Sequence, residues 1–356
     1  MILDQFLTFI PHVRDLTKRL AVTTHVISRL VRRDQLPSMP VIQTLVKSVL
    51  LPKMVYGFAF VPPSILVNER INIKITGIPD GSSHVNMHSA LKKAFMTPIM
   101  RSMGQPYFVH HNSLLVESRL LSLDSLHSLS CIRLAHRWMS NSLDATNEAG
   151  RMFREHAAAP PRSACHPFSH IRSNIVRINT FSAFAHNPRS IIDVEKHRLK
   201  EIVWEQQYKE WTEDGTHPLQ QQYTTQAPNQ SNMPTYTHMD TPGAATNRAR
   251  LRFARARLKF NQKRMKFKNV GPVTCRQCGK ADETVKHVIE TCDAPAVIDI
   301  RNRMNKKLRK LCTKYNERVA DVANVLNPTA KNKKAMKKAH KITGRMITLL
   351  QEVWNY

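Results

Sequence analysis

The chain has 356 residues, with 54 Lys+Arg against 26 Asp+Glu, a formal net charge of +28 and 42% hydrophobic residues. With 4 Trp, 7 Tyr and 13 Phe it is not a wholly disordered tail, and six cysteines are too few for a disulfide scaffold. So large a positive excess argues for an anionic partner and against an ordinary small-metabolite enzyme.

The amino-terminal apolar run is short, carries Asp4 and lacks a basic leader, so it does not read as a signal peptide. No stretch reaches 18 uncharged apolar residues, and no transmembrane helix is expected. The chain starts abruptly in a folded-looking segment, and the expectation is a fragment of something longer.

The pattern predicts a mainly α fold. Leu16, Leu20, Ile27 and Leu30 recur at helical spacing until Pro37 and Pro40. Ile42, Leu45, Val46 and Val49 predict a short second helix stopped near Pro52. Ala90 to Met100 predicts a third. Leu121 to Met139 predicts a fourth, with Leu126, Leu129, Ile132, Ala135 and Met139 on one buried stripe. Residues 158–169 read as a turn-rich connector, and 189–211 as one amphipathic helix packed through Ile192, Val203 and Trp204. The Gln/Thr/Asn/Pro-rich stretch 215–247 has few apolar anchors and is expected to be a flexible linker and the main domain boundary.

The charge is unevenly placed. Residues 1–150 carry net +7, residues 151–240 net +1 and residues 241–356 net +20. Within that last part, Cys275-x2-Cys278-x8-His287-x4-Cys292 supplies three thiolates and one imidazole, a tetrahedral donor set for one structural Zn2+. Gly279 sits where a knuckle turns, and Asp282, Glu283 and Thr284 look like the start of a short helix that carries His287. All four positions come from protein, which leaves no open site for a metal-bound nucleophile. The alternative is two buried cysteines with an incidental His and Cys.

Basic clusters bracket this motif. Upstream lie Arg248, Arg250, Arg252, Arg255, Arg257, Lys259, Lys263, Arg264, Lys266 and Lys268, interleaved with Leu251, Phe253, Ala254 and Leu258. Downstream lie Arg301, Arg303, Lys306 and Lys307, followed by Arg309 and Lys310, with Met304, Leu308 and Leu311 as the apolar side. A third cluster runs from Lys331 to Arg345, with Met336, Ala339, Ile342, Met346, Leu349 and Val353 as its stripe and Asn327-Pro328 as its start. These clusters read as phosphate-contacting helices, with the upstream one as the leading contact element; a solvated or nuclear-targeting-like face and an anionic membrane are the alternatives. RNA and DNA stay equally open, and the expected location is intracellular, with nuclear entry suggested by the basic clusters.

The knuckle CRQCGKADETVKHVIETC, with Glu283-Thr284 before His287 and the basic segment LRFARARLKF upstream, resembles the C-terminal cysteine–histidine motif of non-LTR (LINE-like) retrotransposon reverse transcriptases. FLTFIPHVRDLTKRL and VIQTLVKSVLLPKMVYGFAFV resemble the stretch that leads from the palm into the thumb; ALKKAFMTPIMRSMGQPYF and LLVESRLLSLDSLHSLSCIRLAHRWM resemble the helical connector. The likeness covers residues 1–140 loosely and 246–303 more firmly. It implies a thumb/connector-like helical region over 1–150, a partly helical connector over 151–214, the flexible linker over 215–247, and a basic zinc-knuckle region over 248–356. No Asp-Asp pair occurs in the chain, so the paired carboxylates the family uses for polymerisation are missing. The resemblance therefore implies a noncatalytic nucleic-acid-binding remnant. A zinc-stabilised structural or protein-interaction module is the alternative, and a polymerase subunit that borrows its carboxylates is a further one.

Overall fold

The computed structural model describes residues 9–30, 39–61, 66–67, 70–71, 85–105, 111–140, 148–158, 167–213, 236–253, 256–264, 270–319 and 324–354. The described fold is mainly α-helical, and its only ladder among these residues is a two-residue antiparallel pair, Arg70–Ile71 (β1) with Val85–Asn86 (β2). No helix among the described residues is long and apolar enough to cross a membrane. The chain divides into two compact units. The first takes Met1–Arg29, Thr44–Pro98 and Leu120–Asp214, and the second takes Leu30–Gln43, Ile99–Arg119 and Gly215–Tyr356.

In the first unit, helix α1 (Ile10–Leu30) buries Leu16, Leu20 and Ile27 along one stripe, as their spacing predicts, and Val13 joins them. Its Thr24 hydroxyl donates to the Ala94 carbonyl at 2.8 Å, tying it to the helix Met87–Ser102. The second predicted helix does not stop near Pro52. Helix α2 (Met39–Leu45) runs through a π turn, Val46–Leu50, into α3 (Leu51–Val55). A proline inside a helix lacks its N–H and crowds the carbonyl four residues back; a widened turn just before it, with Pro52 in the first turn of α3, relieves both. The helix Met87–Ser102 (α4) extends the third predicted segment and contains Pro98.

Helix α5 (His111–Glu117), which belongs to the second unit, precedes α6 (Leu123–Ser140), which is the fourth predicted segment. All five residues of the α6 stripe are buried. Helices α7 (Glu148–Ala158), α8 (Pro167–Val176) and α9 (Leu199–Glu213) pack on α6. Gln207 of α9 fastens the entry to α6: its side-chain oxygen accepts from Ser122 N–H at 2.7 Å and its amide donates to the Leu120 carbonyl at 3.1 Å. The 189–211 expectation is corrected at its start. The helix begins at Leu199, Val203 and Trp204 are buried as expected, and Ile192 is exposed on a separate short turn. Of the turn-rich connector, residues 159–166 lie outside the described residues, and Pro167 opens α8.

In the second unit, the linker expectation fails over 236–247. There α10 (Tyr236–Met239) and α11 (Pro242–Arg252) are helical, with Tyr236, Thr237, Thr246 and Asn247 buried. Polar side chains made this stretch look unanchored, but one buried Tyr and close helix packing replace the missing aliphatic residues. The remainder of that stretch, 215–235, lies outside the described residues.

A short α12 (Lys259–Arg264) follows, then the cysteine-rich loop, α13 (Pro295–Tyr315) and α14 (Lys333–Trp354), which pack along each other. Pro295 sits in the first turn of α13, where a missing N–H costs nothing. Asn316, at φ 52°, closes it in the left-handed conformation. Met304, Leu308 and Leu311 form its buried stripe, as expected. Helix α14 starts later than Asn327-Pro328. Asn332 caps it, accepting from Lys334 N–H at 2.8 Å and Ala335 N–H at 3.2 Å. Its stripe is also rotated: Ala335, Ala339, Thr343, Met346, Ile347, Leu350 and Trp354 are buried, while Met336, Ile342, Leu349 and Val353 are only half-buried. Gly344 lies on the buried face, where an added Cβ would stand 3.2 Å from the Ala244 Cβ of α11. The glycine lets the two helices approach.

Candidate metal centre

The four sequence-predicted ligands converge. Cys275, Cys278, His287 and Cys292 place their ligand atoms within 4.8 Å of one another. Cys275 Sγ and Cys292 Sγ are 3.9 Å apart, and Cys278 Sγ lies 3.2 Å from His287 Nε2. A sulfur pair on one tetrahedral zinc, at about 2.3 Å per bond, stands about 3.8 Å apart. The donor set and its spacing therefore fit Zn2+, with three thiolates and one imidazole.

Local sequence explains the convergence. The segment Thr274–Asp282 folds back as a bridge, with Cys275 N–H donating to the Ala281 carbonyl at 2.7 Å. Gly279 N–H closes the turn on the Cys275 carbonyl at 2.9 Å, and its φ of 68° is the left-handed conformation that glycine adopts freely. Backbone N–H groups then point at the sulfurs: Gln277 N–H at 3.4 Å from Cys275 Sγ and Lys280 N–H at 3.5 Å from Cys278 Sγ. The Lys280 N–H is the main reason the Cys278 thiol is held below its ordinary value.

The other half of the site uses an unusual turn. His287 and Cys292 are five residues apart, which on an α-helix would set them about 140° apart around the axis. Instead His287–Thr291 forms a single π turn, closed by Cys292 N–H on the His287 carbonyl at 2.8 Å. The wider turn brings both ligands to one side. Thr284 starts it by accepting from His287 N–H at 3.1 Å. His287 Nδ1 lies 3.1 Å from Thr291 Oγ1, a partner that holds the ring and leaves Nε2 toward the thiols. Burial pushes the Cys292 thiol up to about 12, and a bound cation is what takes the proton from such a sulfur.

Three charged side chains brace the loop. The buried Glu283 carboxylate accepts from Lys259 N–H at 3.0 Å and from Arg276 through its N–H at 3.0 Å, its Nε at 3.0 Å and its Nη2 at 2.8 Å. Arg301, at the start of α13, donates to the carbonyls of Glu290 and Cys292. Around these contacts Val288, Ile289, Val297 and Ile300 join Leu251, Leu258, Leu350 and Trp354 in one core. The metal set and the packing of α13 on α14 are therefore one structure.

The upstream basic cluster is corrected. Arg248 and Arg252 are buried inside the second unit, not offered to phosphate. Arg248 pairs bidentately with Asp240, at 2.7 and 3.2 Å, and also donates to Thr343 Oγ1 at 3.0 Å and to the Val325 carbonyl. Arg252 pairs with Glu117 at 2.7 and 3.2 Å, donates to the Leu326 carbonyl at 3.3 Å, and lies over the Tyr236 ring. With no solvent-exposed side-chain surface, each guanidinium is committed to the fold. Arg250 is half-buried and donates to the Gly104 carbonyl at 3.2 Å, and Lys259 is half-buried beside Glu283.

Arg257 and Lys263 are exposed, and Arg264 ends α12. Arg255, Lys266 and Lys268 lie outside the described residues. On α13, Arg303, Lys306 and Lys307 are exposed, whereas Arg301 is half-buried on the loop carbonyls. The exposed basic face is therefore the outer side of α13 and α14.

A second group, His127, Cys131 and His170, also brings ligand-type atoms within 4.8 Å. Burial, helped by the neighbouring His170, pushes His127 down to about 4, and burial pushes Cys131 up to about 12. The His-x3-Cys spacing on α6 was a readable signal for two of these residues. The third arrives from another helix.

No protein-family profile, curated protein or solved structure matches the chain.

Proposed function

We propose that the second unit is a zinc-stabilised structural module in which Cys275, Cys278, His287 and Cys292 hold one Zn2+ that fixes α13 against α14. The observation that carries this reading is the convergence of the four donors on one point within the same core that joins the two helices. The bound ion supplies the cross-link between its four ligands. The chain's own residues do the rest: Glu283 and Arg276 brace the first ligand pair, Thr284 and Thr291 orient the imidazole, and Arg301 anchors the last loop. Stripping the metal from the full chain with a chelator should lower its thermal midpoint and restore it on adding zinc. An unchanged midpoint after metal removal would contradict a structural role.

One observation favours a second reading, in which this module binds RNA or DNA without catalysing a reaction. Arg303, Lys306, Lys307, Arg309 and Lys310 are exposed along α13, and Lys334, Lys337 and Lys341 along α14. Such an array suits contacts to phosphate. The resemblance of the 246–303 segment to retrotransposon reverse transcriptases supports the same reading and gives its origin as a noncatalytic retroelement remnant. Binding to single-stranded and duplex RNA and DNA, followed across a salt series, tests it. Affinity that falls steeply with salt supports phosphate contact, and absent or salt-independent affinity removes the reading.

A further inference from the structure

The cluster in the first unit has the features of a metal site and no role in the reading above. His127 and Cys131 are four residues apart on α6, so they share a face. His170 reaches them from α8, which packs on α6. All three are buried, and the two imidazoles lie parallel, 6.1 Å between centroids at 6°.

The hydrogen-bond inventory is what sets this group apart from an ordinary histidine pair. The Ala59 carbonyl can only accept, so His170 Nε2, at 2.7 Å, carries the proton and donates to it. That fixes the lone pair on Nδ1, which is buried without a hydrogen-bond partner. His127 Nε2 is also buried without a partner. Cys131 Sγ has only a weak contact to the same Ala59 carbonyl, at 3.9 Å. Phe58 closes over His127, edge to face at 4.8 Å. Two buried ring nitrogens without a partner are costly to the fold. An imidazole whose other nitrogen is held by a backbone carbonyl is also the arrangement that presents a metal ligand.

We propose that His127 Nε2, His170 Nδ1 and Cys131 Sγ hold a second Zn2+, independent of the Cys3His site. Imidazole with thiolate suits this borderline-soft ion. Binding deprotonates Cys131 and releases that proton to solvent. The donors draw together by rotation of their side chains, to the roughly 3.3–3.8 Å separations that a tetrahedral zinc sets. A solvent molecule supplies the fourth ligand. The ion would pin α6, α8 and the Ala59 turn to one another.

The test is zinc content of the full chain, purified in reducing, chelator-free buffer with zinc supplied, together with zinc X-ray absorption. Two zincs per chain are expected, with an average first shell of about two sulfurs and two nitrogen or oxygen donors per ion. Cys131→Ala should lower the count by one. One zinc per wild-type chain with a first shell of three sulfurs and one nitrogen overturns the proposal even if the variant does not fold. A folded Cys131→Ala chain that keeps both ions overturns it as well. Failure of the Cys3His site would show separately, as a count that Cys278→Ser leaves unchanged.

Discussion

Arg276 and Glu283 face each other across the knuckle, and the arginine gives the buried carboxylate three of its four hydrogen bonds. Burial pushes Glu283 up, but donation from the Arg276 side chain and backbone and from Lys259 N–H outweighs it, so the carboxyl sits below its usual value of 4.5. A carboxyl with a depressed folded value stabilises fully above its unfolded value, and that stability is lost as pH falls through the folded one. The Glu283 contribution should therefore be level above about pH 6 and decline below 4.5. Glu283→Gln should be less stable at pH 7, by about 1–3 kcal/mol, because Arg276 is partly exposed and screened. Its loss relative to wild type should shrink as the pH drops. Urea unfolding at several pH values measures this, and a pH-independent difference would contradict it.

The Arg248–Asp240 pair gives a second expectation. Both side chains are fully buried, so Asp240→Ala strands a guanidinium in the core and should cost about 3–5 kcal/mol. The double variant Asp240→Ala with Arg248→Met removes the stranded charge and should recover a large part of that loss. Equal stability of the single and double variants in a denaturant titration would show that the charge is not held as described.

Close approach at Gly344 predicts a steric effect. Gly344→Val meets the Ala244 Cβ and the Arg248 guanidinium, and should lower stability by about 1–3 kcal/mol. Ala244→Gly opens the space and should restore part of it. No rescue in thermal unfolding would mean that the helices do not touch there.

Nucleic-acid binding should follow exposure. Lys306→Glu with Lys307→Glu should reduce the salt slope of affinity by about one per lost phosphate contact, without changing stability much. Arg257 and Lys263, which are exposed, should contribute in the same way. Affinity that survives these reversals at full salt dependence would place the contacts elsewhere.

Much of this was legible in the chain. The Cys-x2-Cys-x8-His-x4-Cys order named all four residues that converge, because a tight turn and a short helical turn need only local sequence. The α6 and α13 stripes were legible for the same reason. The Arg-rich segment misled because its burial depends on partners that composition cannot locate: Arg252 meets Glu117, 135 positions away. The Arg248 partner was close, eight positions upstream, but lay inside a stretch that looked too polar to fold. On α14 the buried face includes Thr343 and Gly344, and a search for large apolar residues rotates the stripe toward Met336 and Ile342. The π turn was hidden too, since a five-residue ligand spacing does not reveal how the backbone closes it.

Zinc binding by Cys275, Cys278, His287 and Cys292 carries the proposed function. Its most direct test is metal content of the purified full chain, wild type beside Cys278→Ser, with each preparation supplied with zinc under reducing conditions. The substitution is expected to remove one zinc per chain and to lower the thermal midpoint. A Cys278→Ser chain that retains the wild-type zinc content would contradict it.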